Sequence, residues 1–256
     1  MADDAALLRA VLTAPNDDAP RLAYAQWSED QRDAASVARA ALIREQIELA
    51  RMNSAELLTP RAFELEYQIK KLIDGHGRLW AGVLTEWVDT FHFLRGFVGW
   101  ISLSARNFLE HGQRIMELAP VQHVDLTGVR DVDEALFNSP LMATIQSLSM
   151  DHCGLYDLHM QMLAASPQVT NLRWLSVAGN NLTIAAAEAL AASPYLRDLR
   201  FAEFRSNPSD PVERLRYDSG IVVSSSMPPA AREIEMRFGP QAWLHREEDG
   251  RGRFDN

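Results

Sequence analysis

The chain has 256 residues and a single cysteine, Cys153, so it can form no internal disulfide. Basic residues are outnumbered, 25 Lys and Arg against 35 Asp and Glu, for a net charge of −10. Phosphate contacts need a basic surface, so this balance argues against nucleic acid as the main partner. An acidic surplus otherwise mostly serves solubility. No run of 18 apolar residues occurs, so no membrane-spanning helix is expected. The opening MADDAALLRAVL lacks a basic stretch followed by a long apolar one and does not read as a secretory signal. A cytoplasmic protein is the simplest expectation. The chain also lacks G-x-x-x-x-G-K-[ST], G-x-G-x-x-G, G-x-S-x-G, H-E-x-x-H and C-x-x-C, so no catalytic residue, cofactor or metal is expected.

What is present is a core and a repeat. Hydrophobic residues make up 47% of the chain, enough to bury a large interior. Ser-Pro occurs at 139–140, 166–167 and 193–194, each 27 residues after the last. In that frame Ile145, Leu148, Met150, Cys153 and Leu155 return as Leu172, Leu175, Val177, Asn180 and Leu182. Both sets fit L-x-x-L-x-L-x-x-N/C-x-L, the leucine-rich-repeat template. Weaker copies lie at Val121, Val124, Leu126 and Val129, and at Val98, Ile101 and Leu103. A last one follows at Leu199, Phe204 and Asn207, with Ala202 at a leucine position. One copy cannot bury its own apolar face, so neighbours must stack.

Each position has a local reason. Leu175 and Val177 alternate with Trp174 and Ser176, as a short strand requires. Asn180 then turns the chain, its amide able to bond backbone groups that the turn leaves free. Cys153 holds the same place one copy earlier. Thr183–Ser193 reads as an alanine-rich helix capped by Thr183 and ended by Pro194, and Asp157–Ser166 repeats it. Residues 1–90 read as helical throughout. The expected helices run to about Thr13, from Pro20 to about Asp30, over Ala35–Met52, over Leu57–Asp74 and over Leu79–Phe93, with Gly75-His76-Gly77 between the last two. After a break at 207–211, Ile221–Ser225 and Glu233–Phe238 alternate as two strands around Met227-Pro228-Pro229 would, extending the repeat sheet. His245–Asn256 reads as a frayed polar tail.

The N-terminal stretch LLRAVLTAPNDDAPRLAYAQWSEDQRD, followed by ALIREQIELARM, resembles the bacterial repeat-companion module. The matching residues are Leu7, Leu8, Pro15, Asp17, Asp18, Pro20, Arg21, Leu22, Tyr24, Ala25, Trp27, Ile43, Arg44, Gln46, Glu48 and Leu49. Gln26 departs from it, since the family usually has Asp before the Trp. The stretch RGFVGWISLSARNFLEHGQRIMELAPVQHVDLTG resembles the usual bridge into the repeats. The resemblance implies a bacterial cytoplasmic protein with ribonuclease-inhibitor-like repeats and carries over no established chemistry. The expected fold is α/β: a short leucine-rich-repeat solenoid with parallel strands on its concave side, helices outside and an N-terminal α-helical cap. The regions would be 1–93 (helical, with the companion module in 1–52), 94–208 (repeats) and 209–256 (C-terminal cap and tail).

In such a fold the residues between the core leucines face outward. One column is Trp100, His123, Ser147, Trp174 and Phe201. The next is Ser102, Asp125, Ser149, Ser176 and Glu203, and a third is Ser104, Thr127, Asp151, Ala178 and Arg205. Three large aromatics on one outward column suggest a binding surface. Trp100, Trp174 and Phe201 would anchor a protein partner, with His123, Asp125, Asp151, Arg173, Glu203 and Arg205 around them. The competing reading is that 209–256 folds back over these rings. His123, Asp125, Asp151 and His152 would lie near one another, but their spacing is no known metal signature. Cys153 sits where the frame predicts burial, which makes a nucleophile unexpected. The function expected is non-catalytic protein recognition. The alternatives are a regulatory or effector subunit acting through the helical region, or an enzyme with an unrecognised site.

Overall fold

A computed structural model of the chain describes residues 4–212, 214–218, 221–226 and 228–245, with side chains described for 4–212 and 228–245. Apart from His245, the expected polar tail lies outside the described residues. The chain is a mixed α/β protein of two compact units, 4–101 with 113–121 and 102–112 with 122–245. Six strands form one mostly parallel sheet in chain order.

The first unit begins with α1 (Asp4–Thr13), α2 (Asp18–Asp30), α3 (Ala34–Ala50) and α4 (Pro60–Ala81). Asp17 caps α2 by accepting from the Ala19 N–H at 2.9 Å, and Asp33 caps α3 by accepting from Ser36 at 2.9 Å. Val11, Ala25, Ala40, Ile43, Ile47 and Phe97 bury together as its core. Strand β1 (Thr90–Leu94) turns through Arg95-Gly96 into β2 (Phe97–Ser104). Two polar side chains hold that turn. Arg21 donates to the Leu94 and Arg95 carbonyls at 3.2 and 3.1 Å and to Pro15 at 2.8 Å. Gln46 accepts from the Gly96 N–H at 2.6 Å and donates to the Phe93 carbonyl at 2.8 Å.

Two expectations for this region fail. The helix does not break at Gly75-His76-Gly77, and there is no helix over Leu79–Phe93. Gly75 is exposed with open space around it. Gly77 is buried, and a Cβ there would already touch Ile73 at 3.1 Å and the Phe93 ring at 3.5 Å. Both stay helical because neither needs a left-handed backbone. The glycine that stops α4 is Gly82, at φ +54°, followed by a 3-10 turn over Gly82–Glu86. Residues 90–93 then run as strand, with Phe93 buried.

The second unit is built on β3 (His123–Thr127), β4 (Ser147–Ser149), β5 (Trp174–Ser176) and β6 (Phe201–Glu203). Helix α5 (Ala105–Leu118) precedes β3, and α6 (Asp133–Phe137), α7 (Asp157–Ala165) and α8 (Ile184–Ala192) follow β3, β4 and β5. Strand partners are parallel: Val124 faces Leu148, Leu148 faces Leu175 and Leu175 faces Ala202. These pairings fall 24, 27 and 27 residues apart, the offsets at which the apolar pattern recurs. All four side chains are buried. Thr183 caps α8 through its hydroxyl, as its place in the sequence suggests.

The turns after β4, β5 and β6 are tied to the neighbouring strand by side chains. The Asn180 amide donates to the Met150, Val177 and Ala178 carbonyls at 2.9, 2.9 and 3.3 Å. Its oxygen accepts from the Leu155 N–H at 3.0 Å. Asn207 repeats the pattern on Val177, Phe204 and Leu182 at 2.8, 3.0 and 3.0 Å. Cys153 supplies a thiol version, donating to Leu126 at 3.3 Å. The serines of the Ser-Pro pairs form a second ladder. Ser166 donates to the Phe137 carbonyl and Ser193 to the Ala164 carbonyl, both at 2.6 Å. Each also accepts from the N–H two residues on.

At the C-terminal side, β7 (Arg214–Asp218) and β8 (Ile221–Ser226) pair antiparallel in a sheet of their own. The strand expected over Glu233–Phe238 is instead the second half of α9 (Pro229–Phe238). Pro229 occupies its first turn, where a missing N–H does no harm. Ala231 and Ile234 face inward three residues apart, while Met236, apolar in the strand alternation, is 80% exposed. The period is therefore helical. Trp243 is buried against Phe204, ring centroids 6.2 Å apart.

Removing the Asn180 amide would orphan the Leu155 N–H and take a donor from three carbonyls, two of them in buried bonds. Asn180→Ala is expected to lower unfolding free energy by about 2–4 kcal/mol. Asn181→Ala, at an exposed neighbour, should change it by under about 0.5 kcal/mol. Urea melts followed by circular dichroism measure both.

Candidate functional site

The register sets His123, Ser147, Trp174 and Phe201 side by side across four strands, as the column in the sequence suggests. The Trp174 and Phe201 rings stack face to face, centroids 5.2 Å apart and planes 6° apart, and both are half-buried. Trp100 is on β2 in the first unit, half-buried, with the His92 ring 4.4 Å away in an edge contact.

The polar members of the surface depart from expectation. His123 and Glu203 are 5% and 7% exposed, so neither stands open to solvent as the outward columns imply. Ser147, Ser149 and Ser176 are buried as well. Part of the reason is size: strands about 4.8 Å apart bring small side chains down between larger neighbours, and Ser147 is flanked by His123 and Trp174. Glu203 is folded back on its own turn, accepting from the Arg205 N–H at 3.0 Å and pairing with the Arg205 guanidinium at 2.9 Å.

Asp151 is half-buried and serves as a brace. One carboxylate oxygen accepts from the Ser176 hydroxyl at 2.5 Å and from the Ala178 N–H at 2.8 Å, tying one turn to the next strand. Asp125 is half-buried opposite Ser149, and Arg173 is half-buried at the start of β5. Arg205 is exposed, just past the end of β6. His152 adopts a left-handed backbone at φ +55°, and its ring lies where any side chain on residue 179 would stand, 2.2 Å from that position. Gly179, itself at φ +65°, is required there twice over. Among the described residues no three His, Cys, Asp or Glu side chains gather as metal ligands, and no helix is long and apolar enough to cross a membrane.

Of the residues singled out in the sequence, the fold brings together Trp174 with Phe201, Glu203 with Arg205, and Asp151 with Ser176. Reading the sequence missed the two serine hydroxyls that cross between copies. The invariant 27-residue spacing of Ser-Pro was their signal, though it pointed to the proline. Comparison with known proteins finds no matching family model, curated protein or solved structure.

Cys153 is half-buried, and burial pushes its thiol above the ordinary value, with the Asp151 charge adding to the effect. Folding therefore favours the protonated thiol. Its contribution to stability is complete below the ordinary thiol value and is lost as pH rises through the raised one. At pH 8 iodoacetamide should modify Cys153 in the folded protein more slowly than in 8 M urea. Equal rates by mass spectrometry would refute its protection.

Proposed function

We propose that this chain is a non-catalytic protein-recognition module, a cytoplasmic leucine-rich-repeat protein of the repeat-companion type. It would bind a protein partner on the strand face of the second unit. The observation that carries the reading is the stacked, half-buried pair of Trp174 and Phe201 on adjacent parallel strands. Outward strand positions are ordinarily polar, and large rings held in one orientation lose little entropy when a partner covers them. The parallel register of the strand pairs and the Asn and Ser ladders support the same reading, because they make the surface stiff. Asp125, Asp151, Arg173 and Arg205 would surround the rings with charge and set orientation more than strength. The buried His123 and Glu203 would support the surface from beneath.

Trp174→Ser with Phe201→Ser is expected to weaken partner binding by about 30-fold or more, the cost of losing one hot-spot residue at about 2 kcal/mol. The measurement is affinity capture from the native host's lysate, wild type against variant, once circular dichroism shows the variant is folded. Equal capture by the two proteins would remove the strand face as the binding surface and shift attention to the helices of the first unit.

A further inference from the structure

The first unit contains a buried cation whose bonding is incomplete. Arg39, in the first half of α3, carries its guanidinium inside a ring of aromatic side chains. The guanidinium carbon is 5.2 Å from the Trp80 ring centroid, 5.2 Å from Phe93 and 4.9 Å from Phe97. Aromatic faces attract the charge but accept no strong hydrogen bond from it. Nη1 of Arg39 is buried and has no hydrogen-bond partner among the described residues. Among the described residues no carboxylate forms an ion pair with it; Asp4 acts on it through space. Burial lowers its pKa to about 10, which leaves it charged at neutral pH. Arg21 makes a useful contrast. It is also desolvated, but three backbone carbonyls accept hydrogen bonds from its Nη1 and Nη2, which leaves only its Nε without a partner among the described residues. Buried guanidinium N–H groups normally find acceptors, and one that does not calls for an explanation.

A cavity of about 310 Å³ opens beside Arg39. That falls at the lower end of the range for small-molecule sites. Its lining includes Trp27, Trp80 and Tyr24 as aromatic wall, the hydroxyl residues Ser28 and Ser36, and Asp4. Burial raises the Tyr24 phenol well above its usual value, and a hydrogen bond donated to Asp4 adds to this, so it stays neutral. The cavity thus combines an under-bonded cation, flat apolar walls and neutral donors. One Arg opposed by one Asp leaves little field for a doubly charged ligand.

We propose that this cavity binds a small aromatic monocarboxylate. Its ring lies against the indoles of Trp27 and Trp80, and its carboxylate takes the free guanidinium N–H of Arg39. Guanidinium and carboxylate match in shape as well as charge. Asp4 works against the ligand's charge and limits its affinity. This site is separate from the strand face and does not depend on protein recognition there.

Titration calorimetry of the full chain with indole-3-acetate, indole-3-acetamide and inorganic phosphate tests the proposal. Indole-3-acetate should bind saturably at one site per chain. The amide, equal in shape but uncharged, should bind at least about tenfold more weakly. Phosphate should neither bind nor displace the acid. Asp4→Asn should tighten binding of the acid. Ala35→Leu, which places bulk on the cavity wall and leaves Arg39 untouched, should abolish it while thermal melting stays cooperative. Arg39→Gln should abolish it too, but that variant also disturbs the aromatic cage, so Asp4→Asn and the acid–amide pair carry the decision. Absence of saturable binding, equal affinity for acid and amide, or unchanged binding by the Ala35→Leu protein would each overturn the proposal.

Discussion

The amide of Asn180 bridges two successive turns of the second unit, and the sheet depends on that kind of bond. Strands β4, β5 and β6 have three residues each, too short to hold a parallel sheet by ladder hydrogen bonds alone. The chain must leave each strand at once, and the turn strands its carbonyls and N–H groups in the interior, where unpaired polar groups are costly. Asn180 and Asn207 supply the missing partners from the next copy, and Ser166 and Ser193 do the same at the far end of the unit's helices. Cys153 does this less well. A thiol donates weakly and lacks the carboxamide oxygen that accepts an N–H, so its turn is held by fewer bonds.

That constraint determines what the strand face presents. Because each copy is tied to the next through identical groups, residues 27 apart come into lateral register, and Trp174 meets Phe201 ring to ring. The same ties use up groups that appear available in the sequence. Asp151 spends its carboxylate on Ser176 and Ala178, and Glu203 spends its own on Arg205. Much of the polar face is therefore structural.

The first unit solves a different problem. Its hairpin turn is held by Arg21 and Gln46, polar side chains that helices α2 and α3 deliver into the interior. Arg21, Ala25 and Ser28 lie on one buried helix stripe, so a cation stands where an apolar residue is usual. It is tolerated because backbone carbonyls meet it. Arg39 receives aromatic faces instead, which offset part of the desolvation and leave one donor without a partner among the described residues.

Periodicity by itself determined strands β3 to β6 and their neighbours. The 24- and 27-residue offsets, the turn position of Asn180, the helix from Thr183 and the first three helices are all local patterns, and local patterns survive in sequence. The aromatic column was legible for the same reason: equal spacing becomes adjacency once the copies stack. What the sequence could not decide depended on partners far along the chain. Gly77 stays helical because its backbone needs no left-handed turn, with Ile73 and Phe93 packed around it, while Gly82 provides the stop. Glu233–Phe238 alternates like a strand yet folds as a helix, with Met236 left in solvent. The burial of His123 and Glu203, and the gathering of Trp80, Phe93 and Phe97 around Arg39, were likewise decided by tertiary structure. A residue's solvent exposure and its unmet hydrogen bonds are properties of everything packed around it, and no spacing along the chain records them.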